Sequence, residues 1–170
     1  MMKQLKSLLI AAVLFAGVSQ TAQAQAKVAH INVTELMTNM PDMKAANTQL
    51  EKITKGYDTD YNTMVDEYRK KAAQYQKEAS TQTDAINATR SQEMDDMQKR
   101  IQDYQQNATK ELQKKQEDIY KPILEKSRAA IQKVAKAKGY QYVLDASTGS
   151  GVLFAEGPDL LADVKKELGF

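Results

Sequence analysis

His30 is the single histidine of this chain, and there is no cysteine beside it. The two side chains that most readily serve as base, nucleophile or metal ligand near neutral pH are therefore almost absent. His30 sits in KVAHINV between Ala29 and Ile31, a setting in which a lone imidazole packs rather than reacts. The carboxylate pairs Asp95-Asp96 and Glu117-Asp118 fall in a polar helical segment, where a solvated face accounts for them. No G-x-x-x-x-G-K, G-x-S-x-G or H-E-x-x-H pattern occurs. GSGV at 149–152 reads as a turn, because no helix follows it directly to hold a phosphate. Asn32, Asn87 and Asn107 each head an N-x-T triplet, and these short matches read as incidental. The residue types point away from an enzyme, with no catalytic group, no metal ligand and no cofactor expected.

The elements around these residues begin with an export signal. Lys3 and Lys6 precede the uncharged apolar stretch SLLIAAVLFAGV at 7–18, and TAQAQA follows with small residues at the spacing of a cleavage site. The signal spans 1–24, with cleavage after Ala24 or Ala26, and the apolar run is short for a span of about 20 residues. An exported chain without thiols suits an oxidising compartment such as a periplasm. Removing Lys3 and Lys6 from the 24 basic residues leaves as many as the 22 acidic ones. Charge thus gives no case for nucleic acid. Aromatic residues make up 6% and tryptophan is absent, a poor supply for a globular core and an ordinary one for paired helices.

Residues 27–33 alternate, with Ala29, Ile31 and Val33 on one face and Val28, His30 and Asn32 on the other, which predicts a strand. Thr34–Met40 makes one or two helical turns, and Pro41 opens a helix with Asp42 at its positive end. No proline then occurs before Pro122, and no glycine between Gly56 and Gly139. Apolar residues step by three or four from Met43 through Ala79, with eleven-residue recurrences (Tyr57, Tyr68, Ala79), as in a nearly straight seam. The pattern lapses over 80–91 and resumes from Met94 to Ile123, with Lys115 at a seam position. Two seams around a lapse describe an antiparallel helical hairpin at 41–138, tip near 80–91, reversing near residue 83. Arms of roughly 40 residues would reach about 60 Å. One continuous helix in an intermolecular coiled coil is the alternative.

Pro122 bends the returning arm, and Gly139 ends it. GYQYVLDASTGSGVLFAEG at 139–157 predicts a β-hairpin with strands around 140–146 and 152–155, and DLLADVKKELG a closing amphipathic helix. The hairpin would return these strands to the strand at 27–33, forming a three-stranded sheet capped by the last helix. Such a unit is marginal alone, and its edges invite pairing with other copies. The expected fold is α+β and predominantly helical: a small β body for oligomerisation, built from 27–40 and 139–170, carrying one long antiparallel α-helical tentacle per subunit. Val28, Ile31, Val33, Tyr142, Val143, Leu144, Val152, Leu153 and Phe154 are the candidates for that body.

The strand KVAHINV, the segment ELMTNMPDMKAAN, the long hairpin and the closing GYQYVLDAS together resemble the Skp/OmpH family of periplasmic chaperones over essentially the whole mature chain. The resemblance implies a homotrimer whose helical arms surround a cavity. It implies unfolded outer-membrane proteins as partners, held without ATP, and weak membrane-surface contact at the tips. Met64, Tyr68, Tyr75, Met94 and Met97 are then the candidate client contacts, since methionine and tyrosine tolerate varied partners; packing of arm against arm is the other role open to them. The best-known members are strongly basic, whereas Asp42–Ile119 carries 13 basic and 15 acidic residues, so weaker salt dependence is expected. A structural or adaptor protein of the cell envelope is the alternative function.

Overall fold

The computed structural model describes residues 26–170; the export signal expected over the first two dozen residues lies outside them. The elements run β1 (Val28–Ile31), α1 (Val33–Asn39), α2 (Pro41–Glu78), a short 3-10 turn (Ala79–Thr81), α3 (Asp84–Lys138), β2 (Tyr142–Asp145) and α4 (Leu161–Leu168). Among these described residues no helix is long and apolar enough to cross a membrane.

Each helix starts and stops where its local chemistry says. Asn32 caps α1, its side-chain oxygen accepting from the Glu35 amide at 2.9 Å. Met40 then adopts an extended backbone, and Pro41 begins α2 at the position that needs no amide hydrogen. Thr83 caps α3 by accepting from the Ile86 amide. Gly139 ends α3 at φ 74°, with its own amide and that of Tyr140 turned back onto Ala135 and Lys136 carbonyls. Helix α3 continues through Pro122, so that proline does not end it.

The two long helices pair antiparallel. Cross-arm contacts join Asp42 to Lys126 (2.6 Å), Asn47 to Tyr120 (2.6 Å) and Asp60 to Tyr104 (3.2 Å), and near the tip Glu78 to Arg90 (2.6 Å). Each pair is centred between residues 82 and 84, so the reversal falls where the seam spacing placed it. Seam residues Leu50, Ile53, Tyr57, Tyr61, Met64 and Tyr68 are half-buried, while Lys115 lies exposed.

Helix α3 has 55 residues against 38 in α2, and the excess runs back beside the body. There Ala130, Val134 and Ala135 pack with Ala29 and Ile31 of β1, Leu36 of α1, and Leu160 and Val164 around α4. A second cluster of Met40, Ala46 and Ile123 sits at the arm root, and Leu168 and Phe170 touch both clusters.

The sheet differs from the expectation. It has two strands, not three, and β1 pairs in parallel with β2 (Val28 with Tyr142, Ile31 with Asp145). The strand expected over 27–33 is shorter, and Val33 already belongs to α1. The β-hairpin expected at 139–157 does not form within the chain: Ser147–Gly151 turns, and Val152–Ala155 pairs with nothing among the described residues. The reason lies in where the closing helix must go. It packs on the face of α3 beyond β1, so the chain crosses to that side. Its backbone there meets the far edge of β1, with His30 N–H donating to Pro158 O and Leu160 N–H to His30 O, both 2.9 Å. The crossing segment is therefore drawn away from the free edge of β2.

A polar knot fixes the end of β2 to the start of α1. Ser147 is buried; its hydroxyl donates to Asp145 Oδ1 at 2.6 Å and accepts from the Thr34 amide at 2.9 Å. The same Asp145 oxygen accepts from the amides of Ser147 (2.9 Å) and Val33 (3.3 Å). Burial alone would raise the Asp145 carboxyl, but these donors outweigh it and hold it below the ordinary aspartate range. Ser147→Ala strips the Thr34 amide of its acceptor and should cost about 1–3 kcal/mol in urea unfolding. Gly56 lies inside α2 where an added Cβ would meet nothing within 4 Å; Gly56→Ala should stabilise the protein by about 0.5–1 kcal/mol in the same measurement.

Candidate functional site

The arm is held by three sets of fasteners. At the root stand the Lys126–Asp42 ion pair and the Tyr120–Asn47 hydrogen bond. Midway, the rings of Tyr57 and Tyr104 meet at 6.3 Å and the Tyr104 hydroxyl donates to Asp60. Burial, and then that carboxylate, push the Tyr104 phenol up from its usual range.

Near the tip, polar groups replace the apolar seam. Lys71, Tyr75 and Glu78 lie on one stripe of α2, and Arg90 and Glu93 face them from α3. Glu93 accepts from Lys71 Nζ and, at 2.5 Å, from the Tyr75 hydroxyl. The Arg90 guanidinium lies 4.4 Å over the Tyr75 ring and pairs with Glu78 at 2.6 Å. One nitrogen of Arg90, Nη1, is buried without an acceptor. The hydrogen bond from Lys71, then that from Tyr75, lowers the Glu93 carboxyl; the Gln74 amide, then Arg90, lowers Glu78. Lys71 and Tyr75 both shift upward, each chiefly through its bond to Glu93.

Met64, Tyr68, Tyr75, Met94 and Met97 all line the seam between α2 and α3. The first four are half-buried and Met97 is only 8% exposed. That burial is what the pairing of the two helices imposes on them. The body candidates divide. Ile31, Val33 and Val143 pack into the chain's own core, and Val152 is half-buried. Val28, Tyr142, Leu144, Leu153 and Phe154 are exposed, Leu153 fully (101%) and Phe154 at 77%. Val28 and Tyr142 are register partners, as are His30 and Leu144, so one face of the sheet is apolar and uncovered. The free edge of β2 also borders an open groove of 520 Å³ lined by Ile31, Val33, Leu124, Ile131 and Val143.

Sequence reasoning missed the tip charges, Lys71, Glu78, Arg90 and Glu93, because each reads alone as a solvated residue. Reflecting the chain about residue 84 sets 75 opposite 93 and 78 opposite 90, which would have exposed the set.

A long paired-helix arm on a small body with an uncovered apolar sheet face defines the class: a tentacled α+β protein. The model of the family described as outer membrane protein (OmpH-like) matches residues 27–168, and the chain belongs to that family. It is 28% identical over 169 residues to the chaperone protein Skp of Yersinia enterocolitica, covering 96% of this chain and 99% of the relative. It is 25% identical over 150 residues to that of Pectobacterium atrosepticum, covering 88% and 90%. The fold matches an OmpH-like outer membrane chaperone from Caulobacter crescentus at a TM-score of 0.75 and 15% identity, over 85% of each chain.

The shifts fix how the tip responds to pH. The lowered carboxylates contribute stability above their ordinary pKa of about 4.3 and lose it as pH falls through their depressed values. The raised Lys71 and Tyr75 contribute below about 10 and lose it as pH rises through their elevated values. The difference in urea midpoint between the parent protein and Glu93→Gln should therefore stay flat from about pH 5 to 9 and shrink on either side.

Proposed function

We propose that this protein is an ATP-independent holdase chaperone of the periplasm, which binds unfolded outer-membrane proteins and keeps them from aggregating on the way to the outer membrane. The observation that carries the reading is the long paired-helix arm standing on a body whose sheet face lacks a cover. Family membership and the Skp names of two relatives support it, and the export signal read in the sequence supplies the compartment.

The chain works as a homotrimer in this reading. Val28, Tyr142, Leu144, Leu153 and Phe154 present apolar surface that one subunit leaves in water, and burying it is the driving force for assembly. An extended segment such as Val152–Ala155 from a neighbour suits the free edge of β2, where main-chain hydrogen bonds are open. Three arms around one space then hold a client by several weak contacts at once. With near-balanced arm charge, capture relies less on long-range attraction and should depend only mildly on salt.

Sedimentation of the mature protein across a dilution series should give a trimer with a frictional ratio well above that of a sphere. Leu153→Asp combined with Phe154→Asp should shift it to monomer. The trimer should suppress aggregation of several unrelated barrel proteins diluted from urea, with or without ATP. A rod-like dimer, or binding of one folded partner only, would instead support the envelope adaptor.

A further inference from the structure

The residues best suited to touch a varied client are only partly accessible on the arm, and Met97 scarcely at all. Tyr68 and Met94 are half-buried and Met97 is 8% exposed, and the polar cluster of Lys71, Tyr75, Glu78, Arg90 and Glu93 lies beside them, extending toward the turn. Beyond that cluster the helices are joined by the short turn 79–83, where the Asn87 side-chain amide donates to Ala79 O at 2.9 Å and Ile86 is exposed.

We propose that this cluster is a clasp that gates an apolar client site in the distal arm: shut, it covers Tyr68, Met94 and Met97, and open, it presents them to an apolar segment of an unfolded polypeptide. Three features fit a gate rather than a permanent weld. Two of its cross-arm hydrogen bonds converge on one acceptor, Glu93, which both Lys71 and Tyr75 use, beside the separate Arg90–Glu78 pair. The closed state leaves Arg90 Nη1 buried and unpaired, a cost that opening removes. The seam beneath is methionine and tyrosine, which repack on new partners more readily than branched aliphatics do. The near-neutral sum of two cations and two carboxylates means that opening does not itself create a strongly charged tip.

This inference rests on the holdase reading for its partner, but the gate can be measured without one. Because the chain lacks cysteine, spin labels can be placed through Gln76→Cys with Ser91→Cys at the tip, and Gln49→Cys with Asp118→Cys at the root. All four positions are exposed. In the full trimer, Glu93→Ala should broaden the tip distance distribution and leave the root narrow. Glu93→Lys should do the same, and adding Lys71→Glu should narrow the tip again. A tip unchanged in both single variants, or a root that broadens with it, overturns a separately closing clasp. The second readout is affinity for an unfolded eight-stranded outer-membrane barrel diluted from urea. If the open form is the competent one, Glu93→Ala should bind up to about tenfold more tightly. An open tip with unchanged or weaker affinity overturns the client site. A parent trimer that binds no unfolded barrel overturns the holdase reading and the client half of the gate, while the distances still decide the clasp.

Discussion

Everything in this molecule depends on a parallel pairing between two four-residue strands that lie on either side of the two long helices in the chain. Val28–Ile31 can meet Tyr142–Asp145 only if the intervening helices go out and come back with matched length. An antiparallel pair does this, and its returning member must be the longer, because it also has to pass the body. The 17 extra residues of α3 (55 against 38) are that passage. They carry Ala130, Val134 and Ala135, which form one wall of the core that buries Ala29, Ile31, Leu36, Leu160 and Val164. Body and arm are thus one folding problem: the sheet needs the arm to close, and the core needs the arm's last turns.

That coupling also explains why the body is so small. Its buried set is a handful of aliphatic side chains and alanines, too little for comfortable stability in a subunit standing alone. The Asp145–Ser147–Thr34 knot adds directional bonds where apolar area is short. What it cannot supply is cover for Tyr142, Leu144 and Phe154.

Much of this was legible in the sequence, for identifiable reasons. The reversal near residue 83 followed from seam spacing alone, because helical periodicity must reflect about the turn. Pro41 and Gly139 marked helix ends through their own backbone constraints. The second half of the β-hairpin was misplaced because the apolar run Val152–Ala155 says that a segment can be extended, not whose strand it joins. A long-range demand, the docking of α4 beyond β1, decided the path. The tip clasp was invisible for the opposite reason. Its members flank the stretch where periodicity fades, and charged residues carry no signal of pairing until the register is known.

The contacts of Leu168 and Phe170 with both the body core and the arm-root cluster have a mechanical meaning. An arm of 38 paired residues, about 57 Å at helical rise, is a lever, and any sideways push at its far end arrives at the root as torque. The root cluster of Met40, Ala46 and Ile123 is the fulcrum, and the methionines there, Met40 with Met37 and Met43 packed against the cluster, give a compliant bearing. By spanning fulcrum and body, the C-terminal helix and Phe170 act as a brace. The coiled length sets the lever, and a few side chains at its shoulder receive the load.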